Sequence, residues 1–440
     1  MGRRMQALAW CVLALALAGC RSRPHDPRLG NEPYLLVWAG DDDRRDDDFL
    51  AILDANPKSR HYGRVLATIP VGSRGNEPHA LNDVARGDGV VVATGLDSDR
   101  IFAFDMRDPM HGELRRVIEP SSARILRAPV AVLTQRTGPI FVAAPDRAHY
   151  RGIGREVLDA PGGLLELEPR GRAARERSAA SPDSRAYIIA PTGGAFVHGT
   201  LVTTNRGHGW VASTHTGFLP GIAMQVWGAG SGRVRVTVPL EAGPRGEENL
   251  GPLAAAVNER RGVVYVSTFD GGGLYASDST GLDRPTFRLV YDFGPGSKPS
   301  DAAVTPDGRY YVVALAGDDR VVALDLHDPW HPKPAFDVAI EPQRHRVAGP
   351  SGLAISVDGG KIAVADYTAA VATFRVDGDR RVHMLRFDEE TGELRLDEKF
   401  RDEETGEEGV SFDRHRWPHG DTGPARPHGV LFVAPLGDEG

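Results

Sequence analysis

Short apolar runs, each broken off by a turn, recur along the whole chain. Val90-Val91-Val92-Ala93 and Ile101-Phe102-Ala103-Phe104 flank Asp97-Ser98-Asp99. The same shape returns as Tyr311 to Leu315, Gly317-Asp318-Asp319 and Val321 to Leu324. Runs of this length, rich in β-branched and aromatic residues and bounded by Asp, Gly and Ser, predict strands joined as hairpins. Arg107-Asp108-Pro109 and His327-Asp328-Pro329 then each end a strand in a turn.

A phrase opens these units: a Pro or Gly, small or apolar residues, a turn, then a β-rich run. It reads Pro299-Ser300-Asp301-Ala302-Ala303-Val304-Thr305-Pro306-Asp307-Gly308 before Tyr310, and Pro350-Ser351-Gly352-Leu353-Ala354-Ile355-Ser356-Val357-Asp358-Gly359 before Lys361. Looser copies start at Pro78, Pro129, Gly193 and Pro252, with a last one at Pro427. A self-similar period of roughly 40–50 residues built of short strands predicts an all-β propeller. The N-terminal strands around Tyr34, Phe49 and Val65 lack an opening phrase, and the copy at Pro427 has nothing after it. Joined, they make one blade whose innermost strand is C-terminal, which closes the ring and removes its free edge. The count is then about seven, with Pro161 to Ala190 irregular. A highly charged insertion, about residues 387–424, contains Asp388-Glu389-Glu390-Thr391-Gly392-Glu393 and its echo Asp402-Glu403-Glu404-Thr405-Gly406-Glu407. The first copy suits a hairpin turn and the remainder a long surface excursion.

The N-terminus changes the picture of where this domain works. Arg3 and Arg4 precede an apolar stretch from Ala7 to Ala18 that is too short to span a bilayer. That is the form of a secretory signal over residues 1–20. It ends in Leu17-Ala18-Gly19-Cys20, the order of a bacterial lipobox, so Cys20 is expected to carry lipid and residues 21–33 to act as a polar tether to a propeller over 34–440. This places the protein on the extracytoplasmic side of the cell envelope. The two cysteines, Cys11 and Cys20, both lie in this segment, which excludes a disulfide, a thiolate ligand or a cysteine nucleophile in the body. A net charge of −8 without a basic patch argues against nucleic acid as a partner. The runs Asp41 to Asp48 and Glu389 to Glu408 read first as solvated loops.

In a propeller the phrase starts and the loops between second and third strands converge on one mouth of the channel. Two phrase starts carry histidine, Pro78-His79 and Pro427-His428, and the ring closure puts them in adjacent blades. His215 and His149 fall in second-to-third-strand loops, and His419 lies just before the closing phrase. Neutral imidazoles held by separate loops suit a transition metal such as zinc or copper. The set expected to converge is His79, His428 and one of His215, His419 or His149; each alone is also an ordinary loop residue. Gly228-Ala229-Gly230-Ser231-Gly232 opens no helix and reads as a turn. The Asp41–Asp48 run offers carboxylates for calcium but lacks the Gly and Glu spacing of a helix-loop-helix site.

Several stretches resemble the selenium-binding protein family, which includes the methanethiol oxidases. They are Tyr34-Leu35-Leu36-Val37-Trp38-Ala39-Gly40-Asp41, Asp54-Ala55-Asn56-Pro57-Lys58-Ser59 and Tyr62-Gly63, with Asp108-Pro109, Asp328-Pro329 and Arg346-Val347-Ala348-Gly349. The ending Trp417-Pro418-His419-Gly420 and Pro427-His428-Gly429 looks like that family's secreted relatives. The resemblance implies a seven-bladed propeller and, in the oxidases, a histidine-built copper site at which O₂ oxidises a small thiol to an aldehyde, sulfide and peroxide. The chain departs from that pattern. It has His79-Ala80 where the family has two histidines, and no cysteine pair around Asn82 to Arg86. Ala128-Pro129-Val130-Ala131 and Ala316-Gly317-Asp318 stand where relatives carry further histidines. Three functions are therefore expected to compete. The leading one is a lipid-anchored propeller that binds a metal or small ligand at the mouth. The others are a copper-dependent thiol oxidase, with His215 or His419 replacing missing ligands, and a non-catalytic scaffold for a protein partner.

Overall fold

A computed structural model of the chain describes residues 32–83, 89–119, 128–134, 140–144, 163–168, 172–178, 187–197, 200–209, 223–228, 233–283, 285–340, 349–366, 379–388 and 390–436. Seven antiparallel sheets form the blades of a propeller. Blade 1 runs outward from Gly423–Val433 through Tyr34–Asp41 and Phe49–Asp54 to Val65–Pro70, so it is closed by the C-terminal strand as expected. Blade 2 begins with Pro78–Asp83, blade 3 with Ala131–Leu133 and blade 4 with Tyr187–Val197. Pro252–Asn258, Pro299–Val304 and Gly352–Ile355 open blades 5, 6 and 7. The irregular stretch 161–190 supplies the outer strands of blade 3, Gly163–Glu168 and Arg172–Ser178.

Strand alternation builds the core between blades. In Tyr34–Asp41, Leu35, Val37 and Ala39 turn toward blade 7, whereas Leu36 and Trp38 turn toward blade 2. Both faces are buried, so the run is apolar throughout. Among the described residues, seven hydrophobic clusters fill the seven junctions between neighbouring blades, the one between blades 7 and 1 included. Trp38 also donates its Nε1–H to the carbonyl of Thr94 across the junction of blades 1 and 2, at 2.9 Å.

The phrase itself is a β-bulge followed by a fixed turn. The register of the inner strand slips at the phrase in blades 1, 2, 4, 5 and 6, which leaves His428, Thr192 and Ser300 and the pairs His79-Ala80 and Leu253-Ala254 out of the ladder. A bulge bends the strand and re-aims its extra residue, which frees that side chain to reach the neighbouring blade. At the other end of the strand, Gly308 and Gly359 take the same left-handed φ of 75°, and Thr305 and Ser356 each accept the N–H that restarts the next strand.

The charged insertion is not a loose surface excursion. Asp388–Glu393 is the hairpin turn that leads into Leu394–Leu396, the fourth strand of blade 7. Its echo repeats the turn atom for atom: Asp388 and Asp402 each accept two following N–H groups through Oδ1, and Gly392 and Gly406 are both left-handed. Between and beyond these turns, Phe400, Phe412 and Trp417 are buried in the core joining blades 7 and 1. Three widely spaced aromatics hidden among charges carry no periodicity, so the sequence pattern did not reveal this strap.

Candidate metal centre at the channel mouth

The two phrase histidines meet. His79 and His428 stack with ring centroids 4.4 Å apart and planes 30° from parallel. Nδ1 of His428 lies 2.9 Å from the carbonyl oxygen of His79, and Nδ1 of His79 lies 2.7 Å from that of Val130. A carbonyl only accepts, so each Nδ1 carries a proton and donates it, and in a neutral ring so held the lone pair sits on Nε2. The same relay continues in blade 6, where the Ser300 hydroxyl donates to the carbonyl of Pro350, 2.8 Å away. Burial, with His79 beside it, holds His428 well below the ordinary histidine range, against the opposing pull of its hydrogen bond to the His79 carbonyl. His428 is thus a neutral donor at neutral pH. Glycine makes the approach possible: a side chain at Gly352 would collide with the His428 carbonyl, and one at Gly429 with Leu81 and the His79 carbonyl.

A buried ion pair fixes the two slots to each other. Glu77 precedes Pro78-His79, Arg426 precedes Pro427-His428, and Arg426 Nη1 lies 2.8 Å from Glu77 Oε2. Both side chains are almost wholly buried. Arg44 adds a second cation to Glu77 at 3.2 Å, and Asp42 joins Arg426 to Arg380 of blade 7 at 3.4 and 2.7 Å. The sequence did carry a signal for this pair: only these two phrases read charge-Pro-His, and the charges are opposite. It was missed because a lone charge beside proline is unremarkable until the two phrases are known to be neighbours. Elsewhere on the mouth, Asp301 accepts the N–H groups of Leu353 and Ala302, and burial pushes its carboxyl up to about 6.

The remaining sequence candidates separate. His419 does not join the pair. Its Nδ1 lies 2.7 Å from the Thr68 hydroxyl, its Nε2 lies 3.1 Å from Asp421, and its ring packs on Phe49. Thr68 belongs to the outermost strand of blade 1, three strand spacings or about 14 Å out from the strand of His428. The reason is Trp417, whose burial against Phe49 and Phe412 anchors this turn at the blade's flank. His215 and His149 lie outside the described residues, as do Cys20, the tether through residue 31 and the turn 229–232. The carboxylates of Asp41 and Asp48 are spent on their own loop: Asp41 accepts the N–H groups of Arg45 and Asp46, and Asp48 those of Asp41 and Asn76. That arrangement caps backbone rather than presenting oxygens to calcium.

Two imidazoles with Nδ1 fixed by backbone carbonyls are the donor chemistry of metal-ligating histidines. Among the described residues no group of three or more His, Cys, Asp or Glu is placed to hold a metal. The pair therefore fits a transition metal as two of its ligands and not as a complete set.

No family model matches the chain. The methanethiol oxidase of Hyphomicrobium sp is 24% identical over 342 residues, 70% of each chain. A shorter stretch of 95 residues, 22% of each chain, is 48% identical to the protein NirF of Stutzerimonas stutzeri. Among solved structures, one described as a hypothetical selenium-binding protein of Sulfolobus tokodaii superposes with a TM-score of 0.68 at 17% identity, covering 90% of this chain and 93% of the other.

Proposed function

On the premise that the chain belongs with the selenium-binding protein and methanethiol oxidase family, we propose that it is a lipid-anchored extracytoplasmic propeller that binds a transition metal or small ligand between His79 and His428. The observation that carries this reading is the stacked pair with both Nδ1 atoms committed to backbone carbonyls. Such an arrangement fixes the tautomer and the ring plane in advance, so little ordering cost remains at binding. The buried Glu77–Arg426 pair braces the two phrases that carry the rings. A transition metal bound there would supply a Lewis-acid or redox centre; the chain's own residues supply two oriented imidazole donors. The secretory signal and lipobox over residues 1–20 support the anchor at Cys20 and the extracytoplasmic location.

The test is metal titration of the soluble body lacking residues 1–20, beside a His79→Ala/His428→Ala double variant. Binding of copper or zinc by the parent and a loss of at least tenfold in affinity in the variant are expected. Equal, negligible metal in both would overturn the reading and leave the scaffold function. A second reading, a copper-dependent thiol oxidase, draws on the oxidase relative. It requires further ligands from outside the described residues, with His215 a candidate. Thiol-dependent O₂ uptake that tracks bound copper would establish it.

A further inference from the structure

The chain leaves the propeller at the end opposite the histidines. Pro427 pairs with Ala39 and Gly429 with Trp38, so His428 sits level with those two residues, whereas Tyr34 pairs with Val433 at the strand's far end. At ~3.3 Å per residue, Tyr34 is about 15 Å below the histidine level and Glu32 about 20 Å below it. The exit is clamped there. Glu32 Oε2 accepts the N–H of Val357 at 2.6 Å, and its backbone carbonyl accepts from the Lys361 ammonium at 2.7 Å. Lys361 is itself buried, reaches the carbonyl of Ala55 at 3.3 Å and lies 5.0 Å over the Phe432 ring. The Ala55 N–H in turn donates to the Pro33 carbonyl at 2.7 Å. Three hydrogen bonds therefore hold Glu32 and Pro33 at this end of the propeller.

We infer that the face bearing this clamp is the one apposed to the membrane, and that the histidine mouth opens into the aqueous compartment. This rests on the anchor at Cys20 proposed above. The argument is one of reach. Residues 21–31 span at most about 40 Å even when fully extended. With the clamped face on the bilayer the tether has almost no distance to cover. In the reversed orientation it has to climb the blade wall from Glu32 to the level of Asp41, about 30 Å, and then pass outward over the rim to the bilayer, which leaves almost no slack. The consequence for the site is chemical. What reaches His79 and His428 arrives from water: a soluble metal ion, a small polar solute, or a soluble protein domain seated on the mouth. A molecule dissolved in the bilayer has no direct path to it.

The body lacks cysteine, so single labels are available once Cys20 is acylated. Asp318 lies on an exposed turn at the mouth and Glu259 on an exposed turn at the opposite end. The full lipidated chain carrying Asp318→Cys or Glu259→Cys is labelled with a fluorescent donor. It is reconstituted into phosphatidylethanolamine–phosphatidylglycerol vesicles that carry a headgroup-linked acceptor. Energy transfer is expected to be at least twofold greater from position 259 than from position 318, because the two stand roughly 20 Å apart along the channel axis. Equal or reversed transfer, with vesicle association still abolished by Cys20→Ala, would overturn the orientation while the anchor stands. Failure of the unsubstituted chain to sediment with vesicles would overturn the anchor and the orientation together.

Discussion

Burial, reinforced by Asp319 and Asp379, pushes the Asp366 carboxyl up to about 8 at the mouth end of blade 7. Its Oδ1 has no hydrogen-bond partner among the described residues. A folded pKa raised above the unfolded value means that the unfolded chain gives up its proton first. Stability from this group is fully present only below the unfolded pKa of about 4 and is lost as pH rises through 8, at about 1.4 kcal/mol per unit. Asp366→Asn stays neutral throughout, so it is expected to come closest to the parent below about pH 4 and to melt progressively higher than the parent up to pH 9. Parallel melting profiles for the two would refute the assignment. His383 has the opposite sign: complete burial holds it down at about 4, so the fold loses stability as pH falls from 6.5 through 4. His383→Leu, which also removes a buried Nε2 without a hydrogen-bond partner among the described residues, is expected to flatten that acid limb in thermal melts between pH 7 and 4.5. At this scale His79 and His428 were legible because the phrase gave them equivalent places in two repeats. Glu77 and Arg426 were not read, because their pairing is a distance across 349 residues of sequence.

The strap is where element-level reading fell short. Its charges were visible, and its identical turns come straight from local chemistry: an Asp capping two N–H groups and a Gly at positive φ. What the pattern hid is that the segment is pinned between blades. Arg414 is buried against Asp402 at 3.3 Å, Glu403 at 2.6 Å and Glu404 at 3.4 Å, and Tyr62 of blade 1 donates its hydroxyl to Asp397 at 2.7 Å. Removing one partner of such a network strands the rest, which costs about 3–5 kcal/mol. Arg414→Ala is therefore expected to lower the urea midpoint sharply, with Arg414→Lys recovering part of the loss. A change below about 1 kcal/mol in Arg414→Ala would show that the network is solvated in solution.

Seven junctions of similar construction make the whole molecule a ring, and the pairing inside blade 1 is the step of its closure that chain connectivity does not enforce. It joins Gly423–Val433 to Tyr34–Asp41. A chain ending at Thr422 would expose the edge of Tyr34–Asp41 and the apolar faces of Val37 and Trp38. It is expected to aggregate or to lose its near-ultraviolet circular dichroism; a monomeric, cooperatively folded product would show that closure is dispensable. The sequence by itself determined the repeat, the strand class, the composite blade and which two phrases carry histidine, because each is written in local turn chemistry and in strict alternation. Tertiary structure alone decided that the two histidines stack, that Glu77 and Arg426 brace them, that His419 belongs to a flank, and that the strap is core. Those are properties of bulges, close glycine approaches and buried charges, whose energies depend on neighbours far away in the chain and so leave no period behind.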